Sequence, residues 1–169
     1  METNERTHII AEVVRPITLL DKKILDQIIS IEKEAFGSRA FTEQEITDDL
    51  FDEENIFVIL RKDDEQIIGF TYAKPSDEEH SQIPLNTKTA FIWDTAIQKE
   101  FQRKGLIQVL MSCLEEELRR RGYTHLEREA TTNNNYAEHI ATHYKDKIEI
   151  QSEPHDSSYG KQIFFRIRL

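Results

Sequence analysis

Cysteine is almost absent from this chain. Cys113 stands alone among 169 residues, which excludes an internal disulfide framework and any site built from several thiolates. It falls on the apolar stripe of a predicted helix, where the role expected of it is a small buried hydrophobe. Glycine is scarce as well. The 5 glycines form neither a Gly-x-Gly-x-x-Gly run nor a phosphate loop ending in Lys-Ser/Thr, which argues against a nucleotide-binding α/β protein. No apolar run approaches the roughly 18 residues that span a bilayer. The segment Met1–Thr7 is polar with charges of both signs, unlike a secretory leader. The expectation is a cytoplasmic protein with no membrane partner.

Positive charge is also in deficit. The 22 Lys and Arg against 32 Asp and Glu leave a formal net charge of −10. A nucleic-acid partner would need a basic face to displace counterions from phosphates, so none is expected. The same acidity serves solubility, and it is compatible with a cationic substrate drawn in by the field. A chain of 169 residues can bury a substantial core, and no repeat, low-complexity tract or linker interrupts it. One domain over 1–169 is expected.

The apolar spacing predicts the element order βααβββαβαββ. His8–Arg15 alternates as a strand and Pro16 closes it. Thr18 and Asp21 suggest a capped start for a helix reaching Phe36, with Ile24, Ile28, Ile31 and Ala35 on one face. Thr42 and Glu45 form a full capping box for a second helix over Glu43–Phe51. Asn55–Arg61 and Gln66–Ala73 read as a hairpin, the acidic Lys74–Asn86 as a surface loop, and Thr87–Gln98 as a strand. A helix over Gly105–Arg121 carries the stripe Leu106, Val109, Leu110, Cys113, Leu114 and Leu118, and Gly122 suits its C′ position. Tyr123–Ala130 reads as a strand, Asn135–Lys145 as a helix, and Lys147–Gln151 with Gln162–Leu169 as closing strands. Hairpins beside strand–helix–strand units imply an α/β (α+β) fold. The sheet expected is mixed, mostly antiparallel and of about seven strands, with helices on both faces.

Chemistry concentrates in Thr95–Gln108, where a strand ends, a polar turn follows and a helix begins. The first turn of a helix leaves backbone N–H groups unpaired at the positive end of the macrodipole. Gly105 permits close approach of a ligand, and Arg103 with Lys104 makes a basic island in an acidic chain. Together they describe an anion site suited to a pyrophosphate.

Gln102-x-x-Gly105 between a strand and an amphipathic helix resembles the acetyl-CoA pyrophosphate motif of the GNAT (GCN5-related N-acetyltransferase) superfamily. Val14-Arg15-Pro16, Glu34-Ala35-Phe36, Ile68-Gly69-Phe70 and Arg121-Gly122-Tyr123 resemble further landmarks of that superfamily, and the element order matches it along nearly the whole chain. One position departs: Ile107 stands where the motif has glycine or alanine. The branched side chain either sits over a wider loop, turns into the core and leaves its amide free, or weakens cofactor binding.

The resemblance implies an acetyl-CoA-dependent N-acetyltransferase with no metal. It implies coenzyme contacts from Ala96, Ile97, Gln102, Arg103, Lys104, Gly105, Leu106, Ile107, Gln108 and Asn134. The strand ending at Ile97 should part from the following strand, and the Ile97 N–H should stabilise the oxyanion while a primary amine attacks directly. For the acid, the superfamily's Asn-x-x-Ala-x-x-x-Tyr pattern places Asn134 and Ala137 correctly but puts Ala141 in the tyrosine slot, leaving Tyr144 three residues on. Glu127, Glu129 and Asp94 are the candidate bases. His139 and His143 have helical metal spacing but lack the glutamate and a third ligand, so no metal is expected. The acceptor, a small-molecule or peptide amine, is not encoded in any recognisable motif, and pairing into a homodimer is left open. A catalytically weak GNAT-like module that binds a ligand or protein partner is the competing reading.

Overall fold

The computed structural model describes residues 8–14, 22–63, 65–77, 81 and 87–169. Pro16 and the expected capping pair Thr18 and Asp21 lie outside them, as do Glu78 and Glu79 of the acidic loop. The elements are β1 (Ile9–Val14), α1 (Lys22–Phe36), α2 (Glu43–Phe51), β2 (Ile56–Lys62), β3 (Gln66–Pro75), β4 (Thr89–Ile97), α3 (Leu106–Arg120), β5 (His125–Thr131), α4 (Tyr136–His143), β6 (Ile148–Gln151), β7 (His155–Ser157) and β8 (Gly160–Arg168). The strands form an eight-stranded, mostly antiparallel sheet in the order β1-β2-β3-β4-β5-β8-β6, with β7 on β8. The chain packs into two compact units, Met1–Tyr72 with Asp94–Glu117, and Ala73–Trp93 with Leu118–Leu169.

In the first unit β1 and β2 pair antiparallel from Ile9↔Lys62 to Val14↔Phe57. Helix α2 opens with the expected capping box: Thr42 Oγ1 accepts the Glu45 amide, and Glu45 accepts the Thr42 amide at 2.8 Å. Helix α1 buries Ile28, Ile29 and Ile31, and with them Glu32. Ala35, expected on that face, is exposed. On α3 the buried stripe runs through Leu110, Met111 and Leu114, while the expected Val109 is 40% exposed. At 100° per residue, Met111 stands beside Leu110 and Leu114, whereas Val109 falls on the edge of that stripe.

Position 69 fixes how closely β3 meets β4. A Cβ on Gly69 would lie 2.9 Å from the Ala96 carbonyl oxygen and 2.9 Å from Ile97 Cγ1. The neighbouring Gln98 amide donates to the Ile68 carbonyl at 2.9 Å. Glycine here serves packing of backbone on backbone.

In the second unit α3 ends in a Schellman turn. Tyr123 N–H donates to the Leu118 carbonyl at 3.0 Å and Gly122 N–H to that of Arg119 at 2.9 Å, with Gly122 at φ +81°. Strands β5 and β8 pair antiparallel from His125↔Arg168 to Thr131↔Gln162. The parallel β4–β5 ladder is short. It joins Thr89, Ala90 and Phe91 to His125, Leu126 and Glu127 and stops there, although β4 runs on to Ile97 and β5 to Thr131. The eighth strand, one more than expected, is β7. Its three residues, His-Asp-Ser, carry no apolar alternation, and pairing with β8 through Ser157↔Gly160 makes it a strand. Gly160 turns that hairpin at φ +93°.

Gly69→Ala should lower stability by about 1–3 kcal/mol, because the β4 backbone cannot yield to the added carbon as a flexible side chain would. Urea denaturation checks this; an unchanged midpoint would mean that the close approach is not required.

Candidate active site

Asp94–Ile107 lies wholly in the first unit. In an antiparallel strand, successive residues present their N–H and C=O groups to opposite sides. Gln98 faces β3, so Ile97 and Thr95 turn their backbone groups the other way. Two of those groups are occupied locally. The Thr95 N–H donates to Asp94 Oδ1 at 2.8 Å, and the Ile97 carbonyl accepts Gln102 Nε2 at 2.9 Å. The Ile97 N–H lies on that same side.

Past Ile97 the chain makes a single 3-10 turn, Lys99–Phe101, and then the turn that the sequence singles out. Two of its residues are left-handed: Arg103 sits at φ +61° and Gly105 at φ +74°, with Lys104 between them. Such alternation draws consecutive N–H groups into a concave nest that favours anions. Among the described residues no acceptor takes the amides of Arg103, Lys104, Gly105, Leu106 or Ile107; the first bond of the α3 start is Gln108 N–H to the Gly105 carbonyl at 3.1 Å. Gln102, Arg103, Lys104, Gly105 and Gln108 are exposed, Leu106 and Ile107 half-buried, and Ala96 buried. A Cβ at Gly105 would meet nothing within 4 Å, so its left-handed φ, not crowding, is what calls for glycine.

Carboxyl groups split into two kinds. Glu127 and Glu129, expected as bases, belong to the second unit and are engaged there. Glu127 Oε1 accepts Arg166 Nη1 at 3.0 Å and Ser81 Oγ at 3.0 Å, and its Oε2 accepts Ser76 Oγ at 2.7 Å. Its side chain is 0% exposed and that of Arg166 only 4%. A buried carboxylate held by these three donors is a cross-strand lock between β5 and β8, so the geometry withdraws Glu127 from base chemistry. Glu129 is half-exposed and bonded to His155 Nε2 at 3.0 Å. Asp94 differs. Burial first, and the charge of Glu32 second, push its carboxyl up to about 8. Such a group holds or accepts a proton near neutrality.

Glu32 is the member of this site that the sequence reading missed. It is 1% exposed, and its Oε1 accepts the Phe41 N–H at 3.0 Å. The available signal was its position: three and four residues beyond Ile29 and Ile28, it lies within the apolar stripe of α1. Tyr144, just past α4 in the second unit, is 4% exposed, with its ring edge-on to that of His143 at 4.6 Å between centroids. Of Asn134 the backbone alone is described, in a 3-10 turn. An open hollow of about 480 Å³ lined by Glu34, Gln66, Gln98, Lys99 and Glu100 contains none of the expected site residues.

The acetyltransferase (GNAT) family matches residues 24–143, and the chain belongs to that family. Among solved structures, the ribosomal-protein-S18-alanine N-acetyltransferase from Escherichia coli superposes with a TM-score of 0.62 at 16% identity, over 95% of this chain and 93% of that one. The NatC complex bound to Gag peptide and CoA gives 0.68 at 13% identity, over 95% and 98%. The PaiA N-acetyltransferase from Thermoplasma acidophilum in complex with coenzyme A gives 0.59 at 11% identity, over 94% and 99%. At these identities the likeness is one of fold. No match is found among curated proteins. Among the described residues, no helix is long and apolar enough to cross a membrane.

Glu127→Ala should cost about 3–5 kcal/mol of stability, since it leaves the Arg166 guanidinium buried without its partner. Thermal or urea unfolding measures this. Wild-type stability in that variant would show the network to be dispensable and return Glu127 to the candidates for catalysis.

Proposed function

We propose that the chain transfers the acetyl group of acetyl-CoA to a primary amine by direct attack in a ternary complex. The observation that carries this reading is the nest at Arg103–Ile107, with left-handed residues at 103 and 105 and open amides at the positive end of a 15-residue helix. A diphosphate fits the groups present: consecutive N–H donors, the exposed cations Arg103 and Lys104, and no Cβ at 105. Ala96, Leu106, Ile107, Gln108 and Asn134 complete the coenzyme contacts in this reading. The coenzyme supplies an acyl group activated as a thioester.

The chain supplies the rest. The Ile97 N–H donates to the carbonyl oxygen as negative charge develops on it, a contribution of about 10²–10³-fold for one well-aimed donor. Asp94 takes the proton from the amine. Tyr144 returns a proton to the departing sulfur. No enzyme nucleophile is needed, which agrees with a thiol at Cys113 that burial pushes up, away from its reactive form. A reducing cytoplasm suits that lone thiol and is the location adopted here. The acceptor is a small-molecule or peptide amine. Support for the peptide class comes from two similar structures, named for a ribosomal-protein alanine and for a bound Gag peptide.

Gly105→Glu should raise the Kd for acetyl-CoA by about 10²-fold or more, roughly 3 kcal/mol, by setting an anion in the nest. Isothermal calorimetry reads this, and unchanged affinity would remove the nest from the account. Tyr144→Phe should lower kcat by about 10²-fold while leaving the Kd for acetyl-CoA in place. Full turnover in that variant would strike Tyr144 from the mechanism.

A further inference from the structure

Glu32 poses a problem of charge. Its carboxyl group is buried on α1 among isoleucines, and the Phe41 N–H satisfies one oxygen while Oε2 has no hydrogen-bond partner among the described residues. An ionised carboxylate with an orphaned oxygen at 1% exposure is costly unless a cation or a proton relieves it. No cation does so. The group facing it at hydrogen-bonding range is another carboxyl, that of Asp94 on β4. Around this pair stand Tyr72 from β3 and Asp49 from α2, and Tyr72 Oη donates to Asp49 Oδ2 at 3.1 Å. Neither brings positive charge. Burial, then the charge of Asp49, pushes the Tyr72 phenol far up, so it stays neutral and gives the pair no competing acid.

Two facing carboxylates can form no hydrogen bond, because neither donates. One proton on either turns the contact into a bond and satisfies Oε2. We propose that Glu32 is a positioning residue whose carboxyl group and that of Asp94 hold one proton between them, leaving the pair a single negative charge that receives the proton of the acceptor's ammonium group. The step balances. One N–H bond breaks with its electron pair staying on nitrogen, the proton joins Asp94, and the pair passes from one proton and charge −1 to two protons and charge 0. Burial raises Glu32 as well as Asp94, in keeping with shared possession of the proton. Glu32, fixed by the Phe41 amide, also holds the Asp94 carboxyl in place. The inference rests on Asp94 being the base of the proposed transfer, but the shared proton exists without substrate and can be observed without turnover.

The test is a ¹³C-carboxyl NMR titration of the free, folded protein, comparing wild type with Glu32→Gln and Asp94→Asn. In the wild type one carboxyl of the pair should keep its proton to near pH 8. In Glu32→Gln the Asp94 titration should fall by about one pH unit or more, because the neighbouring charge is gone while burial remains. Asp94→Asn gives the same reading from the other side, through Glu32, if the first variant does not fold. Both carboxyls titrating in the ordinary range in wild type, or Asp94 staying near 8 in Glu32→Gln, would overturn the proposal. A wild type that shows the shared proton but binds no acetyl-CoA in calorimetry would refute the transferase reading alone and leave the pair intact.

Discussion

Without a Cβ at position 69, the β3 backbone lies against the last residues of β4, close enough that one added carbon would strike the Ala96 carbonyl and Ile97. On the β3 side the Gln98 amide is tied to Ile68 at 2.9 Å, and on the other side Gln102 Nε2 holds the Ile97 carbonyl at 2.9 Å. The strand end is thus clamped from both sides. The direction of the Ile97 N–H and the starting point of the turn into α3 both follow from that clamp. A donor aimed at developing charge works only when it is fixed before the reaction, since reorganisation would consume what it contributes. Gln102 therefore acts inward, as part of the frame, while the N–H groups after it face outward.

Acidic residues show how far environment outweighs identity. Glu127 and Glu32 are both glutamates at 1% exposure or less. Glu127 is ringed by donors, Arg166, Ser76 and Ser81, and is locked as a structural anion. Glu32 has one amide and a second carboxyl, so the same burial drives it toward the proton. One arrangement builds a sheet and the other stores a proton. The difference lies in the neighbours, which come from distant parts of the chain.

Legibility in the sequence followed the range of the interaction. The Thr42–Glu45 box and the Gly122 cap rest on contacts within a few residues, the strands β2 to β4 on local runs of β-formers, and each stood close to where spacing put it. Strand β7 was hidden because a three-residue polar segment becomes a strand only through its partner β8. Val109 and Met111 exchanged places because a helix stripe read from hydrophobicity alone is uncertain by one residue at its edge. At the site, Gly105 and Gln102 were visible as a motif, whereas the left-handed turn at Arg103 was not, because no residue type announces it. Glu127, Glu129 and Asp94 looked alike as strand carboxylates. Only the positions of Arg166, His155 and Glu32, between 26 and 62 residues away in sequence, separated them.

The central claim is that uncovered amides at the mouth of α3 hold a diphosphate. Backbone ¹H–¹⁵N spectra recorded while coenzyme A is added test it most directly. The account predicts that the amides of Arg103 to Ile107 move furthest, with Ile97 following once the acetylated form is used. Saturable binding that leaves those amides unmoved, or no binding at all, would contradict it.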